Sequence, residues 1–227
     1  MPSPQLGLIR NTITQAIGTK DRNLAAQGAE FARRSWNNDF AHGSRAYENN
    51  MLRFYGSTKD TANYLRQAVS FYDRYYMTIP ADSASKAVAA LHTFRQEQQA
   101  ARQRLAKAAV APAGDNFSIT TAAVRPAAVG GPPVSFLQEL NNGAWAIYQT
   151  GTHNSQYLVR AMLWSRRTVD LDPAAYNYDT LAHVLYRLRL YHEAEAMQQQ
   201  AVAAARQKKT SATAYQQELQ KMKQRTL

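Results

Sequence analysis

Five histidines and the carboxylates near them are the first candidates for chemistry. His183 follows Asp179 by four residues, and His42 follows Asp39 by three. On a helix each spacing puts a carboxylate beside an imidazole, the arrangement that orients a general base. No nucleophile or second acid accompanies either pair, so both are read as histidines bonded to a scaffold or facing solvent. His192, Glu193 and Glu195 are close in sequence, but a bundle metal site needs a second carboxylate–histidine copy, and none is visible. Gly130 and Gly131 precede two prolines, which lack backbone donors, and no glycine-rich turn leads into Lys-Ser or Lys-Thr. The chain has no cysteine, which excludes thiol catalysis, disulfides and cysteine-held metals within it. The expectation is no enzyme, no cofactor and no metal.

Charge gives a second set of candidates. There are 27 basic and 16 acidic residues, a net charge of +11. That balance suits an anionic partner without choosing one. Arg95, Arg102, Arg104 and Lys107 form one basic cluster, and Arg206, Lys208, Lys209, Lys221, Lys223 and Arg225 form another. Both are poor in aromatic residues and sit near helix ends, where cations offset the carbonyl dipole. A basic helical nucleic-acid-binding protein is the alternative reading they support, and it predicts steep salt dependence.

The elements that carry these residues read almost wholly with helical period. With 45% apolar and 19% charged residues, the chain can bury a core. Stripes three and four apart predict helices over 5–17, from Leu24 through Gly28, Phe31, Ala32, Ser35 and Trp36, and from a cap at Ser44 through Tyr55. A fourth spans about 60–79 and is stopped by Pro80; a fifth spans about 83–109. Segment 110–134 holds four of the eight prolines and three of the ten glycines, and reads as a flexible linker, with FSITTAAV as its one strand-like stretch. Helices resume with a Ser135/Gln138 capping box, stop at Pro173, restart with Asn177 as a cap, and end in one opened by Ser211. The expected division is a helical region 1–109, the linker 110–134 and a helical region 135–227. No stretch approaches the roughly 20 apolar residues of a membrane span. The first residues lack the basic start and apolar run of a signal peptide, so a cytoplasmic location is expected from sequence alone.

A shift of 93 residues aligns 49–80 with 142–173 without a gap. Asn49/Asn142, Tyr55/Tyr148, Tyr64/Tyr157, Leu65/Leu158, Ala68/Ala161, Arg74/Arg167 and Pro80/Pro173 coincide. A recurring helix pair cannot bury its apolar face alone and must stack on a neighbour. Residues 176–205 resemble a tetratricopeptide repeat: Ala182 takes the small position of the first helix, Leu185 the later large one, Tyr191 the aromatic before the second helix, and Ala194 and Ala201 its paired small residues. Residues 140–173 resemble the preceding unit, with Ala144, Ala161 and Pro173 in place, Thr168 at the second alanine and a longer turn, GTHNS. Residues 44–80 resemble a more degraded copy. The stretches LNNGAWAIYQ, YLVRAMLWSRRTVDLDP and FYGSTKDTANYLRQAVSFYDRYY are also similar to the helical tail of bacterial thioredoxin-fold proteins. In that family the tail follows an exported redox domain, which would imply an extracytoplasmic location and a chain that is one part of a larger protein.

The resemblance implies an all-α, tetratricopeptide-like stack of antiparallel helix pairs that works as a protein–protein interaction scaffold. It also implies a concave groove lined by first helices. By position those residues are Asn141, Trp145 and Tyr148 from one unit, and Asp179, His183 and Tyr186 from the next. Trp and Tyr supply rigid contact area and the polar groups directed hydrogen bonds, which suits a protein or peptide partner. The competing reading of the same aromatics is packing between neighbouring helices.

Overall fold

A computed structural model describes residues 4–37, 39–109 and 136–227. Of these, 84% are helical, and no strand occurs among them. The helices are α1 (Pro4–Thr19), α2 (Arg22–Arg34), α3 (Phe40–Thr58), α4 (Thr61–Tyr72), α5 (Ala81–Ala109), α6 (Phe136–Gln149), α7 (Ser155–Leu171), α8 (Ala175–Arg187), α9 (Tyr191–Gln207) and α10 (Thr213–Gln224). A π-helical stretch, Asp73–Met77, follows α4 directly. The expected linker 110–134, its strand-like stretch and the Ser135 cap lie outside the described residues.

The chain divides into two compact units, residues 1–79 with 138–227, and residues 80–137. The second is carried by α5, whose least exposed side chains, Ala84, Val88 and Leu91, recur at helical spacing. In the first, helices pack in chain order from α1 to α4, then from α7 to α10. α4 and α7 touch directly, although α5 and α6 stand between them in sequence. Ile9, Ile13 and Ala32 form the core of the first helices, with Ile17 and Ala46 against them. Leu181, Ala182, Leu185, Ala194 and Met222 form the core of the last.

Burial repeats at the 93-residue shift. Met51 and Ala144, Phe54 and Ile147, Leu65 and Leu158, Ala68 and Ala161, and Phe71 and Trp164 are all buried. The seam between the copies is closed by polar as well as apolar groups. The Trp164 indole N–H donates to Asp73 Oδ1 at 2.8 Å, and its ring lies 4.9 Å from that of Tyr72. Arg167 donates to the carbonyls of Met77 (2.7 Å) and Ile79, satisfying groups the π-helical turn leaves without helical partners. Gly143 is required here: a Cβ on it would fall 2.6 to 2.8 Å from the Tyr72 ring.

Several local expectations are corrected. α3 opens at Phe40, not Ser44, because the Asp39 side chain accepts from the His42 amide (3.0 Å) and caps the helix earlier. Asn177 is not a cap; it lies inside α8, fully buried, donating to the Asp172 carbonyl at 2.7 Å. The buried face of α2 is Ala25, Gly28, Ala29 and Ala32, while Phe31, Ser35 and Trp36 are exposed. Small residues let neighbouring helices approach closely, as at Gly28, where a Cβ would sit 3.0 Å from Thr12 Cγ2. Of the expected stripe, Gly28 and Ala32 are buried, and the large members Phe31 and Trp36 are not. The fourth helix changes pitch after Tyr72. The last opens at Thr213, two residues beyond Ser211.

Candidate functional site

α6 and α8 bring three of the six candidate residues together. Trp145 and Tyr148, three apart on α6, stack with ring centroids 5.1 Å apart and planes at 29°. His183 on α8 presents its ring edge-on to both, 5.2 Å from each centroid. Such ring pairs contribute about 0.5–1.5 kcal/mol each beyond their area. Trp145 and Tyr148 remain half-buried, whereas His183 is buried. The Arg187 guanidinium, one turn after His183, lies 4.5 Å over the Tyr148 ring, a cation–π contact.

Behind the rings is a polar layer. His183 Nδ1 is 2.8 Å from the Asp179 carbonyl, an acceptor, so Nδ1 carries the proton. Nε2 faces Glu218 Oε2 on α10 at 3.5 Å, and Asp179 Oδ1 stands 3.8 Å from Nδ1. Burial pushes the Asp179 carboxyl up, and the His183 charge and the Gln198 hydrogen bond pull the other way. Gln198, fully buried on α9, donates to Asp179 Oδ1 (2.8 Å) and to the Tyr215 carbonyl (3.1 Å). Lys221 holds the other oxygen of Glu218 at 2.8 Å.

The other candidates are placed differently. Tyr186 turns to Tyr191 on α9, with centroids 5.0 Å apart, and packs on the last core cluster. Asn141 is half-buried, and its side-chain oxygen is buried without a hydrogen-bond partner among the described residues. Thus Trp145, Tyr148 and His183 meet, Asp179 supports His183, and Tyr186 and Asn141 stand apart. Arg187, Gln198 and Glu218 belong to the site and were not among the sequence candidates. The spacing Asp179, His183, Arg187 marks Arg187 as sharing their helix face. Glu218 carries no such signal, because its place depends on how α10 folds back.

His42 and Asp39 form an exposed cap on α3: His42 Nδ1 is 2.6 Å from Asp39 Oδ2, and Trp36 stacks on the ring at 4.9 Å. The His42 backbone and side-chain hydrogen bonds hold the Asp39 carboxyl below its usual range. His192 and Glu193 are exposed, and Glu195 binds Arg225 at 2.6 Å. Among the described residues no three or more His, Cys, Asp or Glu gather to hold a metal ion, and no helix is long and apolar enough to cross a membrane. No family model, curated protein or solved structure matches this chain.

Proposed function

We propose that the chain is a non-enzymatic protein–protein interaction scaffold of the tetratricopeptide type, which holds a protein or peptide partner along the face shared by α6 and α8. The observation that supports this is the convergence of Trp145, Tyr148 and His183 into one half-open aromatic patch edged by the Arg187 cation. Half-exposed Trp and Tyr give large contact area at low entropic cost, and Arg187 gives the patch a directional donor. The reading assigns no chemical step to His183, since both ring nitrogens face protein acceptors. In this reading the helical-tail resemblance points to a thioredoxin-like redox domain as one partner worth testing.

The test is capture of partners by the purified chain with nuclease present, washed at low salt and at about 0.5 M salt, where screening reaches a few ångströms. Trp145→Ala with Arg187→Glu strips the patch while leaving His183 and its bonds in place. A discrete protein retained by the chain through the salt wash and lost from this folded variant is the expected result. Partners that persist on the variant would refute the reading. Material held only at low salt and lost with nuclease would favour nucleic acid instead.

A further inference from the structure

A charged side chain drawn partly out of water normally meets an acceptor, because burying it unpaired is costly. Among the described residues, Arg45, Arg167 and Arg187 are half-buried and every other arginine is exposed. Arg45 donates to the Tyr76 hydroxyl at 2.8 Å, and Arg167 to the Met77 carbonyl at 2.7 Å. Arg187 makes no hydrogen bond and no ion pair among the described residues; its guanidinium lies 4.5 Å over the Tyr148 ring. Stacking on a ring fixes the plane of the guanidinium and leaves its N–H edges to meet something else. A cation in the last turn of α8 also offsets the carbonyl dipole, but that needs only charge, which a lysine would supply.

The donors beside Arg187 are unused as well. The Trp145 indole N–H and the Tyr148 hydroxyl have no hydrogen-bond partner among the described residues, and neither atom is sealed from solvent. The carboxylates of the site turn to other partners: Asp179 Oδ1 accepts from Gln198 and Glu218 Oε1 from Lys221, both at 2.8 Å. The patch therefore presents donors and one uncompensated cation, with no free carboxylate of its own to match them. Nucleic acid would need several free cations along the face and an open ring on which to stack. Here Lys221 is tied to Glu218, and the Tyr148 ring already bears both Trp145 and Arg187.

We propose that Arg187 receives a glutamate or aspartate side chain of the bound partner, so that the partner is an acidic peptide segment with a large apolar residue next to its carboxylate. This rests on the reading of α6 and α8 as the partner face. The carboxylate accepts two parallel bonds from the guanidinium edge, and the apolar neighbour lies on the half-exposed Trp145 ring. Because the guanidinium lies flat on Tyr148, a carboxylate on a methylene stem reaches it while the partner's backbone stays on the outer face. A chain terminus has no such stem.

The experiment is a nuclear magnetic resonance titration of the full chain at about 0.15 M salt, followed at the Trp145 indole N–H and the Arg187 Nε–H. The probes are two pentapeptides capped at both ends, Gly-Leu-Glu-Leu-Gly and Gly-Leu-Gln-Leu-Gly. The glutamate peptide should give saturating shifts at both groups, and the glutamine peptide should bind about tenfold more weakly. Arg187→Gln breaks no hydrogen bond within the described chain, so it should fold, and the two peptides should bind it equally. Arg187→Lys keeps the charge at the end of α8 and should leave the urea midpoint unchanged, yet it loses the planar fork and should weaken the glutamate peptide about threefold. Equal binding of the two peptides at Trp145 of the unaltered chain would overturn the proposal and leave the partner face standing. No shift at Trp145 from either peptide would remove both. Preference for the glutamate peptide that survives Arg187→Gln would place the carboxylate on another cation and overturn the proposal. So would tighter binding of Gly-Leu-Gln with a free C-terminus, which marks a terminal carboxylate, or an oligothymidylate that displaces the glutamate peptide at lower concentration.

Discussion

Trp164 joins parts of the chain that are some ninety residues apart, and removing its hydrogen bond measures that joint. The indole N–H reaches Asp73 Oδ1 at 2.8 Å from a ring that is fully buried. A hydrogen bond to a charged group contributes about 1.5–3 kcal/mol, and the Asp73 side chain is 29% exposed, which favours the lower end. Trp164→Phe also shrinks the buried ring, adding roughly 1 kcal/mol of cavity cost. The single variant should therefore lose about 3 kcal/mol, or about 6–12 °C in Tm for a domain of this size. Asp73 also stands 3.4 Å from Arg160, but that guanidinium is half exposed and contributes little. The assay is urea unfolding followed by circular dichroism for the chain, Trp164→Phe, Asp73→Ala and the double variant. The coupling energy should be about 1.5 kcal/mol, with the slope against urea unchanged. A coupling below about 0.5 kcal/mol would refute the claim that this bond closes the seam.

Gly143→Ala should destabilise by about 1–3 kcal/mol in the same assay, because its methyl group would fall 2.6 Å from Tyr72 Cζ and a buried ring has little room to move. Asp39→Ala should cost about 1 kcal/mol through the lost α3 cap, and Ser44→Ala, inside the helix, should change stability by less than about 0.5 kcal/mol; thermal unfolding separates the two. Asp179 has a folded-state carboxyl raised above its ordinary value of 3.8, so the folded chain holds that proton to higher pH than the unfolded chain. Its contribution is most favourable below 3.8 and is lost as pH rises from there through the raised folded value. Asp179→Asn should flatten that part of the stability–pH curve, and an unchanged curve would show that burial of Asp179 does not govern it.

Helices were legible from spacing because an apolar stripe every three or four residues has few other uses. Spacing gave only part of the buried face where small residues decide: it found Gly28 and Ala32 but also took in Phe31 and Trp36. On α2 the chain buries Ala25, Gly28, Ala29 and Ala32 and leaves Phe31 and Trp36 outside, since helix approach there is set by size rather than hydrophobicity. Caps were legible only in part. Asp39 and Ser44 are both competent, and the choice depended on the His42 amide reaching the carboxylate. Within the site, Asp179, His183 and Arg187 lie on one helix face and carry a spacing signal. Gln198 and Glu218 enter from α9 and α10, and nothing local fixes where those helices return. The separation of Tyr186 from Tyr148 has the same origin: three residues after His183 the side chain has rotated from the α6 side toward α9, where Tyr191 meets it.

The 93-residue shift links the sequence to the packing. Paired repeats that stack directly normally recur at the length of one pair, so so long a shift would suggest copies held far apart. The contacts say otherwise, because α4 and α7 touch while α5 lies in a separate unit. α4 and α7 are therefore neighbours in space although distant in sequence. The identities that align therefore mark the two sides of one seam: Phe71 and Trp164 are equivalent, buried, and belong to adjoining helices. The copies also diverge at one equivalent position. Arg74 pairs with Glu48 at the surface at 2.7 Å, whereas its counterpart Arg167 is turned inward onto the carbonyls of Met77 and Ile79. Burial pulls the Arg167 guanidinium down from its ordinary value, a cost only the interior copy bears. One residue type, at one repeat position, is thus a surface ion pair in the first copy and the clamp that ends the π-helical turn in the second.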